Sequence, residues 1–534
     1  MNFNISDKLK DKKAILTVIL FIIAIAARLY QIGLVPGNGA LHSDEAYAGY
    51  NAWSLLHYGI DSEGYINPVY FVVGGSGMNA LELYCMIPFV AIFGLNPIGI
   101  RLCSAVFGII TVFFFYKLLK DFVNRNVAIV GLAAIAIIPW HVMISRWGLE
   151  SNFFPGFLLI SVYFLLKATK NSKYSMLGML FFGLTLYAYA ADWVVMPFLL
   201  VGLLLLFGVK GLLQIDRYWI LSFFILVIVA MPILLFVLVN YGYMEPIYTS
   251  FMTIPRLTYF RSGEVGLSSE QVLHNIKVMK RILVNQEDPW MWNCMWATGI
   301  YYKISGPFII LGLVKTIISA VKNIRNKDDD GLLDCVMLIW FALGLILGCL
   351  IDGNINRLNI LHLPVVFFIT VGIFWVCSIL KGKLRYVAIG AVVVAYLAYF
   401  IRFETYYNNK YSNIFGARFA AGMKDALEYC ETEGAEKVYI FGISYPEVLV
   451  NLNFPTDEYL KTVVWDDQDA SFRPIHGFGD KYYFVDFTVN EPEEGVYYLA
   501  DPNNEHFEHS LDYMKDNGMD VMYFDQVVVG VMPN

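Results

Sequence analysis

A mainly α-helical polytopic membrane protein, ending in a small α/β or α+β domain, is what this sequence predicts. Three observations carry that prediction. Hydrophobic residues make up 58% of the 534, and the mean hydropathy is +0.56; such a chain is too apolar for an ordinary soluble globule and long enough for many spans. Uncharged apolar runs recur as far as Arg402. Beyond Arg402 the composition turns to Asp, Glu, Tyr and Asn with no long apolar run, which divides the chain into 1–402 and 403–534.

Taken in order, the chain opens on a polar stretch with Lys8, Lys10, Lys12 and Lys13, followed by an apolar run over 14–34. No small-residue cleavage site closes that run, so it reads as a retained first helix. Ten further runs lie at 102–116, 126–145, 151–166, 174–191, 193–209, 218–239, 304–321, 335–351, 358–380 and 386–401. Most approach the roughly 20 residues needed to cross hydrocarbon, and the shorter ones gain from snorkelling flanks. About eleven transmembrane helices are therefore expected.

Loop charge sets the expected sidedness. Lys8 to Lys13, Lys117/Lys120/Arg125, Lys167/Lys170/Lys173, Lys210/Arg217, Lys322/Arg325/Lys327 and Lys381/Lys383/Arg385 share one face if 79–94 does not cross, as the excess of basic residues in cytoplasmic loops requires. The segment 79–94 is thus expected as a re-entrant or juxtamembrane helix on the outer face. The N-terminus is expected in the cytoplasm and the C-terminal domain outside. That domain reads as helices over 415–430 and 508–517 and strands over 437–441, 482–487, 496–500, 521–524 and 526–531. It has no GxGxxG, P-loop or nucleophile elbow, so an accessory role is expected.

A net charge of -7 without a basic tract excludes nucleic acid as a natural partner. Seven cysteines stand singly, with no CxxC and no metal-ligand spacing. No metal and no cofactor is expected.

The chemistry concentrates just past the first span, at His42-Ser43-Asp44-Glu45. Ser43 suits a helix N-cap, which places Asp44 and Glu45 in the first turn. Tyr47, Tyr50, Trp53, Leu55 and Leu56 then suit a helix lying in the interface. An acidic pair at that depth is costly unless it is used or neutralised; simple capping is the bland alternative. The expected sidedness brings Asp44, Glu45, Glu63, Glu82, Arg101, Arg146, Glu150, Asp192 and the loop from Asp352 to Arg357 to the outer face. Arg146 and Glu150 would pair across one turn if their helix continued, and His141 follows Pro139-Trp140 nearby. Arg101 and Arg357 each stand at the start of a span. Guanidinium groups level with two carboxylates suit an anionic lipid phosphate held beside a hydroxyl that a carboxylate activates. His42, Glu82, Asp192 and Asn356 are candidate acceptor or sugar contacts. The loop over 240–302 carries Trp290, Trp292 and Trp296, an interfacial belt or a lid over a lipid-borne substrate.

The run His42-Ser43-Asp44-Glu45-Ala46, then Phe93-Gly94-Leu95-Asn96-Pro97-Ile98-Gly99-Ile100-Arg101-Leu102-Cys103-Ser104-Ala105, then Pro139-Trp140-His141 and Ser145-Arg146 resembles the membrane glycosyltransferases of the protein O-mannosyltransferase and aminoarabinose-transferase type. The resemblance covers most of the chain before Arg402. It implies a GT-C fold and transfer of a sugar from a polyprenyl-phosphate carrier to a lipid, protein or polysaccharide acceptor at the outer face, by an inverting single displacement. It further implies Asp44 as catalytic base with Glu45 as its neighbour, and Arg101, Arg146 and Arg357, with His141 and Glu150, around the carrier phosphate. Metal independence is the rule in that group. Where its members often have Lys/His-Pro-Pro opening the juxtamembrane helix, this chain has Gly74-Gly-Ser-Gly77-Met-Asn79-Ala-Leu-Glu82, which reads as a flexible linker or an anion-binding backbone nest. A transporter or flippase for lipid-linked sugars would show repeated, broken spans with midplane charges, and neither is evident. A non-catalytic envelope-assembly protein would use its outer domain and be indifferent to Asp44.

Overall fold

The computed structural model describes residues 11–261, 265–325, 330–501 and 509–533; Lys8, Lys10, Lys327 and Glu508, where the last helix was expected to start, lie outside these. In hydrocarbon an apolar run satisfies its backbone by closing its own helical hydrogen bonds, and the runs fold accordingly. The chain begins with α1 (Lys12–Leu29) and α2 (Ser43–Tyr58). A two-stranded hairpin, β1 (Tyr70–Val73) with β2 (Ser76–Asn79), leads into α3 (Ala80–Phe93). Then follow α4 (Pro97–Phe122), α5 (Arg125–Ile137), α6 (Pro139–Ile144), α7 (Phe154–Ala168), α8 (Tyr174–Thr185), α9 (Met196–Val209) and α10 (Arg217–Asn240). The loop after α10 carries the short pair β3 (Ile247–Tyr248) and β4 (Thr253–Ile254) and the helix α11 (Ser269–Lys280). The apolar part closes with α12 (Gly306–Asn323), α13 (Leu332–Leu350), α14 (His362–Ile379) and α15 (Gly382–Tyr406).

Among the described residues seven helical segments are long and apolar enough to cross a membrane: α4, Glu150–Ala168, α10, Lys303–Asn323, α13, Asn359–Ile379 and Gly382–Gly416. The protein is a multi-pass membrane protein. α10 and α15 bury only 17% and 6% of their apolar windows against the rest of the molecule, so their remaining surface is the lipid-facing side. Within the bundle α12 and α14 cross at two glycines: a Cβ on Gly312 would lie 1.8 Å from the Phe368 carbonyl oxygen, and one on Gly372 would lie 2.1 Å from that of Phe308. Such small-residue crossings bring helix backbones together where burial of apolar surface gives little driving force.

Prolines redraw some expected boundaries. The run at 126–145 is not one helix: α5 stops at Ile137 and α6 restarts at Pro139, because proline cannot donate to the preceding turn. α8 ends at Thr185, and a short 3-10 turn, Ala190–Val194, precedes α9. The glycine-rich stretch read as a linker or nest is instead the hairpin turn, with Gly74 and Gly75 at φ 53 and 83, the left-handed backbone that tight two-residue hairpins require.

After α16 (Ser412–Arg418) and α17 (Met423–Thr432) comes a seven-stranded open mixed sheet. Its strands are β5 (Lys437–Phe441), β6 (Val464–Trp465), β7 (Ile475–Phe478), β8 (Tyr482–Phe484), β9 (Val496–Ala500), β10 (Asp520–Phe524) and β11 (Val527–Val531), in the order β10-β11-β9-β5-β8-β7-β6. The helix expected over 415–430 is broken in two at Phe419–Gly422: Gly422 has φ +93, and a Cβ there would meet the Phe524 carbonyl oxygen at 1.8 Å. Two helices absent from the sequence reading, α18 (Tyr445–Leu452) and α19 (Thr456–Thr462), cover the sheet next to α2, with α20 (His509–Asp516) further on.

Candidate active site

The first turn of α2 is capped by His42, not by Ser43. His42 Nδ1 accepts the Asp44 N–H at 3.2 Å while the Glu45 carboxylate takes the His42 N–H at 3.1 Å, a reciprocal capping box. The two adjacent carboxylates then part company. Asp44 keeps 43% of its side chain exposed, whereas Glu45 is fully buried. Around His42 stand Trp147, Trp292 and Phe419, from α6's exit, the loop after α10 and the C-terminal segment. They wall the approach to Asp44 on that side.

Glu45 is fully committed to the protein. Arg101, buried in α4, meets it in a bidentate pair at 2.9 and 2.8 Å, and the Gly148 N–H donates to it at 3.0 Å. The remaining guanidinium hydrogens of Arg101 go to the Pro36 and Ala40 carbonyls at 2.9 and 2.7 Å. Asn96 positions this arginine by capping α4, taking the N–H groups of Ile98 and Gly99. Arg101 thus ties the loop before α2 to the bundle.

Arg146 and Glu150 do not pair. The helix stops at Ile144, so their one-turn spacing is lost. Arg146 donates to the carbonyls of Ala27 and Tyr30 at 3.0 and 2.6 Å and lies 5.4 Å from the Tyr407 ring, while Glu150 accepts the Asn79 N–H. His141 is buried against Arg28, 2.6 Å from its guanidinium. Arg28 itself donates to the Ala24, Ile135 and Ala136 carbonyls. Elsewhere, Glu82 is buried beside Ser104 at 3.3 Å, and Asn356 pairs with Asn293 at 2.6 Å. Asp192 sits in the turn before α9 with neither carboxylate oxygen hydrogen-bonded among the described residues, and burial pushes its pKa well above the usual carboxylate range.

What these elements enclose is a cavity of about 360 Å³ between the hairpin, the turn before α9, the end of α10 and the loops after α10 and α13. Arg261 and Arg357 line it together with Glu150, Asn79, Ser76 and Tyr189, and Tyr70, Trp193, Tyr259 and Phe260 add aromatic wall. Arg357 is held by donating to the Asp352 carbonyl at 3.1 Å and by its N–H to Asn354. Arg261 stacks on Phe472 of the C-terminal domain at 5.4 Å. Asp44 stands within electrostatic reach of both Glu82 and Glu150. Of the expected set, then, Arg357 and Glu150 line the cavity, and Asp44 does not line it but lies within electrostatic reach of Glu150; Arg101, Arg146 and His141 are occupied by protein partners.

Residues 82–236 match the family model described as dolichyl-phosphate-mannose-protein mannosyltransferase. No curated protein matches the sequence. Among solved structures, ArnT from Cupriavidus metallidurans bound to undecaprenyl phosphate superposes with a TM-score of 0.57 at 12% identity, over 97% of this chain and 99% of that one. The same protein in the apo state gives 0.55 at 12% identity with the same coverage. The Archaeoglobus fulgidus oligosaccharyltransferase in complex with Zn and sulfate gives 0.50 at 13% identity, over 91% of this chain and 68% of that one. The chain has the GT-C fold.

Three residues of this structure lie outside the expected site set. Arg261 falls in the loop over 240–302, where the sequence singles it out without giving it a role, and Tyr189 comes from a stretch that reads as the end of a span. Arg28 left a visible signal: an arginine inside an apolar run asks for a buried partner, and that partner is His141 with a ring of carbonyls.

Proposed function

We propose that this chain is a glycosyltransferase that moves a sugar from a polyprenyl-phosphate carrier to an acceptor at the outer face of the membrane, with inversion at the anomeric carbon. The observation that carries this reading is the cavity that Arg261, Arg357 and Glu150 line together. Paired guanidiniums suit a phosphate monoanion or diester. The donor class is supported by the mannosyltransferase description, which names a dolichyl-phosphate sugar, and by the ArnT structure, which holds undecaprenyl phosphate; both carriers are polyprenyl phosphates.

In this reading the chain crosses eleven times, through α1, α4, α5 with α6, α7, α8, α9, α10, α12, α13, α14 and α15. The N-terminus is cytoplasmic, and Asp44, the cavity and the accessory domain over 403–534 are outside. Asp44 takes the proton from an acceptor hydroxyl. The freed oxygen attacks the anomeric carbon opposite the carrier, the bond from that carbon to the phosphate oxygen breaks, and its electron pair leaves with the polyprenyl phosphate. Arg261 and Arg357 offset the charge that develops there. Glu45, Arg101, Arg146 and His141 are positioning residues that hold the acidic loop. His42 walls the acceptor side, and Glu82, Asp192 and Asn356 support the cavity from behind.

The test is transfer from a synthetic polyprenyl-phosphate hexose in proteoliposomes. Asp44→Asn is expected to lower the rate by about 10²–10⁴, the usual contribution of a positioned base, with expression and unfolding temperature as in wild type. Undiminished transfer by Asp44→Asn, or labelling that finds position 44 in the cytoplasm, overturns the reading. Sugar-lipid crossing the bilayer without any covalent product would mark a flippase instead.

A further inference from the structure

The proposed donor site has a second end whose chemistry is written in unpaired atoms. Ser76 and Asn79 both line the cavity and are only 3% and 1% exposed. Yet Ser76 Oγ and both side-chain atoms of Asn79, Nδ2 and Oδ1, close no hydrogen bond among the described residues. Buried polar groups are almost always paired, and an orphan in a cavity wall asks for a ligand.

These side chains are also held in place. β1 and β2 pair Val73 with Ser76 and Tyr70 with Asn79. The hairpin tip is fixed from two sides, since the Gly74 carbonyl accepts from Arg473 N–H and the Gly75 carbonyl from Tyr259 N–H, each at 2.9 Å. The Asn79 N–H is taken by Glu150, and the Asn79 side-chain amide faces the same carboxylate without closing a hydrogen bond of good geometry. A site that does not have to reorganise loses little on binding.

Resting on the donor reading above, we propose that Ser76 and Asn79 form the sugar-binding end of the cavity and that the sugar they take is uncharged. Arg261 and Arg357 answer the phosphate, and Glu150 is already engaged by Asn79 N–H. What the wall still offers a ligand is the Ser76 hydroxyl and the amide of Asn79, whose oxygen faces no donor; both groups donate and accept, as sugar hydroxyls do. Tyr189, Trp193 and Tyr259 add aromatic lining, the kind of surface against which the C–H side of a pyranose packs. A carboxylated sugar would bring a second negative charge beside Glu150. An amino sugar would bring a cation into a cavity that already holds two guanidiniums.

The experiment uses the full chain in detergent with five probes: undecaprenyl phosphate itself, and undecaprenyl phosphate carrying mannose, glucose, galacturonate or 4-amino-4-deoxyarabinose. A neutral hexosyl probe is expected to bind at least about tenfold more tightly than the bare phosphate. Asn79→Ala and Ser76→Ala are each expected to remove about tenfold of that advantage, the scale of one lost hydrogen bond, and to leave the Kd for bare undecaprenyl phosphate within about twofold. Arg261→Ala should weaken every probe. Tightest binding of a charged sugar, or equal weakening of bare phosphate and hexosyl probe by Asn79→Ala and Ser76→Ala, overturns the sugar-end assignment while leaving the donor reading intact. Failure of the wild type to bind bare undecaprenyl phosphate overturns both. Two variants on separate residues keep the result readable if one of them fails to fold.

Discussion

Glu45→Gln separates a positioning role from a catalytic one. Both partners of the Glu45–Arg101 pair are fully buried, and the carboxylate takes four hydrogen bonds, two from the guanidinium and one each from the Gly148 and His42 N–H groups. Glutamine keeps the shape but removes the charge, leaving a buried guanidinium without its counterion. Removing one partner of a buried pair costs about 3–5 kcal/mol, because the desolvation of the other charge is no longer offset. In a chain of this size that loss is a fall of roughly 5 °C in unfolding temperature, read by intrinsic fluorescence at fixed scan rate in detergent. The double variant Glu45→Gln/Arg101→Met should recover part of the loss. The recovery stays partial because the Pro36 and Ala40 carbonyls lose their donor. Transfer should fall in step with the folded fraction. If Glu45→Gln abolished transfer at an unchanged unfolding temperature, the carboxylate would be acting on substrate, and the assignment of the pair to architecture would be wrong.

Two further outcomes follow from groups away from the cavity. Asp61, in the turn after α2, is buried with its Oδ1 taking the Glu63 and Tyr65 N–H groups, and desolvation pushes its pKa up to about 7. Its folded-state pKa exceeds the unfolded value, so the folded state binds the extra proton and stability falls as pH rises from about 4 to about 7, by up to about 4 kcal/mol. Asp61→Asn should flatten that slope, as followed by unfolding temperature across pH; an unchanged slope would count against the burial of this carboxyl. Gly312→Ala places a Cβ 1.8 Å from the Phe368 carbonyl oxygen and should cost about 1–3 kcal/mol through overpacking, while Gly390→Ala, where nothing lies within 4 Å, should be neutral in the same melt.

The long apolar helices and the strands β5 and β9 were legible because their signal is local: uncharged length for the first, a short apolar run between turn residues for the second. The acidic loop stands out in the sequence too, and for Glu45 the capping alternative holds, since its carboxylate closes the capping box with His42. What the sequence could not say is which carboxylate faces outward. That is decided by Arg101, fifty-six positions away, and by a capping box that begins one residue earlier than the Ser43 signal suggested. The Arg146–Glu150 pairing failed for a similar reason, because helix continuity past Ile144 depends on how α6 packs and not on the four-residue spacing. Arg261 entered the cavity through a loop whose course is set by its contacts with Phe472 and Val265's neighbourhood near Ile351, information with no local trace.

The hairpin before α3 is pinned at its tip to Arg473, in the segment between β6 and β7, and to Tyr259 of the loop after α10, and Arg473 also bridges to Glu63 at 3.0 Å. Cutting the chain after residue 402 would therefore do more than remove a passenger: it would strip the clamp from a short ribbon that carries four cavity residues, Tyr70, Ser76, Gly77 and Asn79. Exchanging the terminal domain with that of another transferase would demand that the ribbon and its anchor travel as one cassette.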